Sequence, residues 1–142
     1  MPNIRAELKK SKWKMAKHDF YMAYHFSLRY NELKDKKKGI IGISSIHSDG
    51  MPHGNKITNP TEIQAIELST CEKEMEIIES TVREADESLY PWLLKGVTNE
   101  NISYNYLRNV MGIPCGKNTY YEKRRKYYYL LAKKIGWSNN EP

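Results

Sequence analysis

Between Gly116 and Lys134 the chain reads GKNTYYEKRRKYYYLLAKK, with seven basic residues, a single acid, Glu122, and five interleaved tyrosines. Thr119 and Glu122 have the spacing of a capping box, which predicts a helix start at Thr119. The helix is expected to run to about Ile135, with Gly136 closing it. At about 1.5 Å per residue it would be roughly 25 Å long, enough to cross a major groove. Two readings are open. A basic, tyrosine-rich helix that starts sharply after a turn suits insertion into a nucleic-acid groove. The same pattern also describes an amphipathic helix that shows lysines to water and tyrosines to a core.

A shorter helical segment precedes it. Ser103–Met111 has helical spacing at Tyr106, Leu107 and Val110, Gly112 sits where a C-terminal cap belongs, and Ile113–Gly116 is the next turn. Residues 103–135 therefore have the order of a helix-turn-helix. In such a unit the first residues of the second helix meet base edges. Those would be Lys117, Asn118, Thr119, Tyr120 and Lys123, with Asn suited to adenine and Lys to guanine. Arg124, Arg125 and Lys126 would lie nearer to phosphates, and Leu130, Leu131 and Ile135 in the core. The turn from Met111 to Thr119 is longer than the usual three or four residues. If about five phosphates are neutralised per chain, log affinity should fall with log salt at a slope of about −4.5.

Upstream, residues 4–38 have helical periodicity at Ile4, Leu8, Met15, Met22 and Phe26, with lysines 9, 10, 12, 14 and 17 clustered in the first half. Lys36-Lys37-Lys38-Gly39 is expected to end that helix. Residues 39–58, with four glycines and Pro52, read as a linker, in which the isoleucines at 40, 41, 43 and 46 could form a short strand. Residues 59–137 then form a helical domain, and 138–142 a tail. Asn59-Pro60 is a helix start. The acidic helix that follows carries Leu68, Cys71, Met75, Ile78, Val82, Ala85 and Leu89, spaced 3, 4, 3, 4, 3, 4. That is a heptad seam, so Leu68, Met75, Ile78, Val82 and Leu89 are candidates for a homodimer contact. Packing against the first helix within one chain is the alternative. Pro91 is expected to end or kink this helix.

Charge follows the same divisions. Residues 1–60 carry a balance of +7, residues 61–100 one of −7 and residues 101–142 one of +6. A net charge of +6 on 142 residues favours an anionic partner met at discrete patches. No catalytic constellation is present, so no enzyme is expected. Gly112–Asn118 falls one residue short of a phosphate-binding loop, and His18, His25, His47 and His53 lack metal-ligand spacing, so no cofactor or metal is expected. Cys71 and Cys115 lie far apart without a CxxC pair. No apolar run approaches the roughly 18–20 residues of a membrane span, and the N-terminus has no signal-peptide core. The expectation is a reduced, cytoplasmic protein with no membrane partner.

The segment Asp49-Gly-Met-Pro-His-Gly54, then Asn59-Pro-Thr61, a long acidic helix and a C-terminal helix-turn-helix resembles phage and prophage regulators of the RinA and ArpU type. Ile113-Pro, Tyr120-Tyr and Arg124-Arg-Lys-Tyr-Tyr-Tyr-Leu-Leu131 are similar to a related group of Gram-positive phage proteins. The resemblance implies an activator of late phage genes. It also implies a C-terminal domain like the promoter-reading region 4 of sigma factors, and host RNA polymerase as a further partner. The expectation is thus an all-α protein that binds duplex DNA as a transcription regulator. The other readings are a packaging protein resembling a small terminase subunit, which would form a ring, and a protein–protein adaptor working through the acidic helix.

Overall fold

A computed structural model describes residues 13–47 and 62–137. The protein is all-α, with no strand among the described residues. Lysines 9, 10 and 12, the linker over 48–58, the Asn59-Pro60 cap and the tail at 138–142 lie outside them. The chain forms two compact units. One comprises residues up to Arg29 and from Ile77 onward, the other Tyr30–Glu76.

In the larger unit, α1 (Lys17–Leu28) buries Phe20, Ala23, Tyr24 and Ser27. Those positions form the i, i+3, i+4, i+7 stripe of a core-facing helix. The helix stops at Arg29, whose N–H bonds to the Phe26 carbonyl at 3.2 Å, a tightened last turn. Within residues 13–38 the expected unbroken helix is therefore two helices, and residues 13–16 before α1 are not helical. Neither glycine nor proline marks the break, so residue type does not announce it. The second helix, α2 (Tyr30–His47), begins the smaller unit and passes straight through Gly39. A single interior glycine costs a helix only about 1 kcal/mol relative to alanine. The buried Ile40 continues the apolar face set by Tyr30 and Leu33. Residues 39–47 are thus helix rather than linker or strand, and the lysine run lies mid-helix, far from any C-terminal dipole.

Helix α3 (Glu62–Ala85) ends well before Pro91. Asp86 adopts an extended conformation, and its carboxylate accepts the N–H groups of Ser88 and Leu89. This cap starts a 3-10 turn, Glu87–Leu89, which leads into α4 (Tyr90–Val97). Pro91 lies in the first turn of α4, where its missing N–H costs nothing. Asp86, not Pro91, is therefore the helix stop, and Leu89 lies outside the seam of α3. Ile78, Val82 and Leu89 are 0%, 0% and 4% exposed within one chain. Their side chains are committed to the monomer core, which removes them from the expected dimer contact.

Two further helices complete the larger unit, α5 (Tyr104–Asn109) and α6 (Lys117–Ala132), with a π turn at Lys133–Trp137. Helix α6 is its central element. Phe20 of α1 meets the Tyr128 ring edge-on, with centroids 5.1 Å apart, and the Ser27 hydroxyl lies 2.6 Å from that of Tyr127. Helix α4 approaches α6 closely at Gly96, where a Cβ would overlap the Tyr120 hydroxyl. Only glycine leaves room for that phenol. Lys134 Nζ reaches Thr81 Oγ1 at 2.9 Å and also pairs with Glu84, tying the end of α6 back to α3.

Candidate nucleic-acid interface

Helix α5, the turn after it and the first turn of α6 carry exposed Arg108, Lys117, Asn118 and Thr119, side-chain types that can meet nucleic acid. The Ser103 hydroxyl caps α5 by accepting the Tyr106 N–H. Gly112, with φ of +65°, ends the helix in the left-handed region. That conformation turns the Gly112 and Ile113 N–H groups back onto the carbonyls of Arg108 and Leu107, at 3.2 and 3.0 Å.

The seven residues from Val110 to Gly116 are held at both ends. The Trp92 indole N–H donates to the Met111 carbonyl at 2.7 Å, and the Tyr104 hydroxyl donates to the Cys115 carbonyl at 2.6 Å. Ile113 is buried between these anchors in sequence. The long turn is thus a pinned structure that presents α6 from a set position. Trp92 and Tyr104 are the positioning residues that sequence reasoning missed. Their aromatic type was visible, but the carbonyls they hold are 19 and 11 residues away.

Helix α6 starts at Lys117, two residues before the expected capping box, with Gly116 as an N-cap that supplies no side chain. Thr119 therefore sits inside the first turn, and Glu122 pairs with Arg125 at 3.4 Å. Lys117, Asn118 and Thr119 are exposed side by side. Tyr120 is not: it is 0% exposed and belongs to the core, which overturns its assignment to base edges. The remaining cations have protein partners. Lys123 Nζ lies 3.5 Å from Asp86 Oδ2. The Arg124 guanidinium lies over the rings of Tyr121 and Tyr128, 5.4 and 5.7 Å from their centroids. Arg125 has a side chain only 16% exposed, and Lys126 Nζ stands 5.6 Å from the Trp13 ring.

Arg124 departs furthest from the expected phosphate anchor. Tyr120, Arg124 and Tyr128 follow one another at four-residue steps, so they share one stripe of the helix. The two tyrosines are buried. The arginine stem therefore runs along the inner face, and its charge reaches Tyr24. Burial raises the Tyr24 phenol pKa, the Glu100 carboxylate raises it further, and Arg124 opposes both. Four-residue spacing to two tyrosines is the signal that could have placed it. In exchange, α5 contributes Asn105, Tyr106, Arg108, Asn109 and Val110 to the exposed surface, with Val110 65% and Tyr106 39% accessible. Of the residues with helical spacing, Leu107 is buried together with Tyr104, while Tyr106 and Val110 lie at the surface.

Neighbouring chemistry is structural. Burial raises the Cys115 thiol pKa and the Asp86 charge raises it further, so the thiol stays protonated at neutral pH. Asp86 itself is held below the usual carboxylate range. Burial opposes this shift, but the Ser88 hydroxyl, the Lys123 ammonium and the Leu89 and Ser88 N–H groups outweigh it. A depressed folded pKa stabilises above the unfolded value of about 3.9 and loses that contribution as pH falls through the folded value. Asp86→Ala should cost about 1 kcal/mol near neutral pH, mainly through the lost cap. The gap from wild type, measured by urea unfolding, should shrink in acid below about pH 4. A gap unchanged down to about pH 2 would contradict this origin.

Comparison with family models, with curated proteins and with solved structures gave no match to this chain. Among the described residues, no helix is long and apolar enough to cross a membrane, and no group of three or more His, Cys, Asp or Glu side chains is placed to hold a metal ion.

Proposed function

We propose that this chain is a sequence-specific duplex DNA-binding protein, a phage or prophage transcription regulator acting in the bacterial cytoplasm, with α5 and α6 as its helix-turn-helix. The observation that carries this reading is the first turn of α6. Lys117, Asn118 and Thr119 are exposed on a helix whose following residues are held in the core. Arg108 and Asn109 are exposed on the preceding helix. A recognition helix contacts base edges with its N-terminal residues while the helix before it meets the backbone. Gly116 supplies no side-chain cap, so the first-turn N–H groups of α6 can receive a phosphate oxygen. In this account Asn118 reads a base, Lys117 and Arg108 hold phosphates, and Lys123 adds a screened third charge. Host RNA polymerase is the partner such a regulator would serve.

The salt dependence of binding tests the reading. With Arg124, Arg125 and Lys126 engaged by the protein itself, about three phosphates are neutralised per chain. Log affinity for a duplex selected from a random pool should then fall with log salt at a slope of about −2.7. A slope near −4.5 would return the arginine cluster to the phosphates. A salt-independent affinity, or no affinity for any duplex in the pool, would sink the proposal.

A further inference from the structure

The smaller unit leaves apolar surface uncovered. Lys37 of α2 and Glu72 of α3 form an ion pair at 3.2 Å. That pair brings the middle of α2 to the N-terminal half of α3. Tyr30, Leu33, Ile40 and Cys71 are buried in this unit. Leu68 and Met75, by contrast, are only half-buried. Ile63, Ile66 and Ile41 are 69%, 60% and 46% exposed. The unit spans only Tyr30–Glu76, close to the size, about 40 residues, below which a fold usually needs oligomerisation or a covalent or metal staple. Its cysteine, Cys71, is free.

The charges of these two helices point to what covers that surface. Over Tyr30–Ile41, α2 carries four lysines and two acids. Over Glu62–Glu76, α3 carries five glutamates and one lysine. One helix of the unit is basic and the other acidic. A second copy related by a two-fold axis sets the basic helix of each chain against the acidic helix of its partner, a self-complementary contact. Two copies joined this way would cover the exposed isoleucines of both.

We infer that the chain forms a homodimer through α2 and the N-terminal half of α3, with Ile41, Ile63 and Ile66 at the contact. This surface is distinct from the full heptad seam, whose C-terminal half is occupied within the monomer. The inference does not depend on DNA binding, and its test uses none. Light scattering on the full chain at about 100 μM should give twice the 16.7 kDa of one chain. Ile63→Glu with Ile66→Glu replaces two exposed side chains and should yield a monomer of unchanged helicity by circular dichroism. Because opposite charges face one another, raising salt from about 0.05 to 0.5 M should weaken the wild-type dimer several-fold. A monomeric wild type, a dimer that survives the double substitution, or an assembly of eight or more copies overturns the inference.

Discussion

Tyr120→Ala should cost about 3–5 kcal/mol of folding stability, read by urea unfolding. The tyrosine is wholly buried, its hydroxyl directed to Gly96 of α4, its ring tilted against Tyr104 at 6.1 Å and edge-on to Tyr121 at 4.9 Å. Truncation would leave a ring-sized void where α4, α5 and α6 meet. Against a typical stability of about 5–15 kcal/mol, that loss leaves a substantial unfolded fraction at physiological temperature. Tyr120→Phe keeps the ring and should lose far less. The opposite outcome is equally plain. Were Tyr120 a base-reading residue, its removal would change stability by no more than about 0.5 kcal/mol and would act on DNA affinity alone.

The second large effect belongs to the neighbouring turn of the same helix and should fall on binding, not folding. Asn118→Ala should cost about 1–3 kcal/mol of discrimination at one position of the selected duplex, a loss of roughly fivefold to 150-fold. Lys117→Ala should weaken all duplexes alike and make the salt slope shallower by about 0.9. Both side chains are exposed, so neither change should move the thermal midpoint. Measured together by anisotropy titration, the pair separates base reading from phosphate holding. If both substitutions leave affinity and sequence preference untouched, the first turn of α6 is not the contact.

Adjacent residues of α6 are thus exposed and buried in turn, and residue type alone does not divide them. The tyrosines and cations were consistent with a groove-facing helix and with a core-facing one. The division comes from what packs on the helix: Phe20 and Ser27 of α1 on Tyr128 and Tyr127, and Gly96 of α4 against Tyr120. Helical character, by contrast, is legible wherever the apolar periodicity is clear, because periodicity is local; residues 39–47, whose glycines read as a linker, are the exception. Gly112 was legible as a helix end because a positive φ strongly favours glycine. The break at Arg29 was not, since it arises from a tightened turn between residues that each suit a helix. Asp86, not Pro91, ends α3: a capping aspartate stops one helix by starting the next, whereas proline is tolerated in a first turn. The heptad seam was correct as a pattern and misleading as a surface. Periodicity says that one face is buried, not whether the same chain or another buries it.

The most direct test of the central claim is backbone amide chemical-shift mapping of the full chain as a selected duplex is added. The account predicts that the largest perturbations cluster at Arg108, Asn109 and Gly116–Thr119, with Tyr120 and Tyr127–Leu131 changing little. Perturbations centred on α2 or on the middle of α3, or none at saturating duplex, would contradict it.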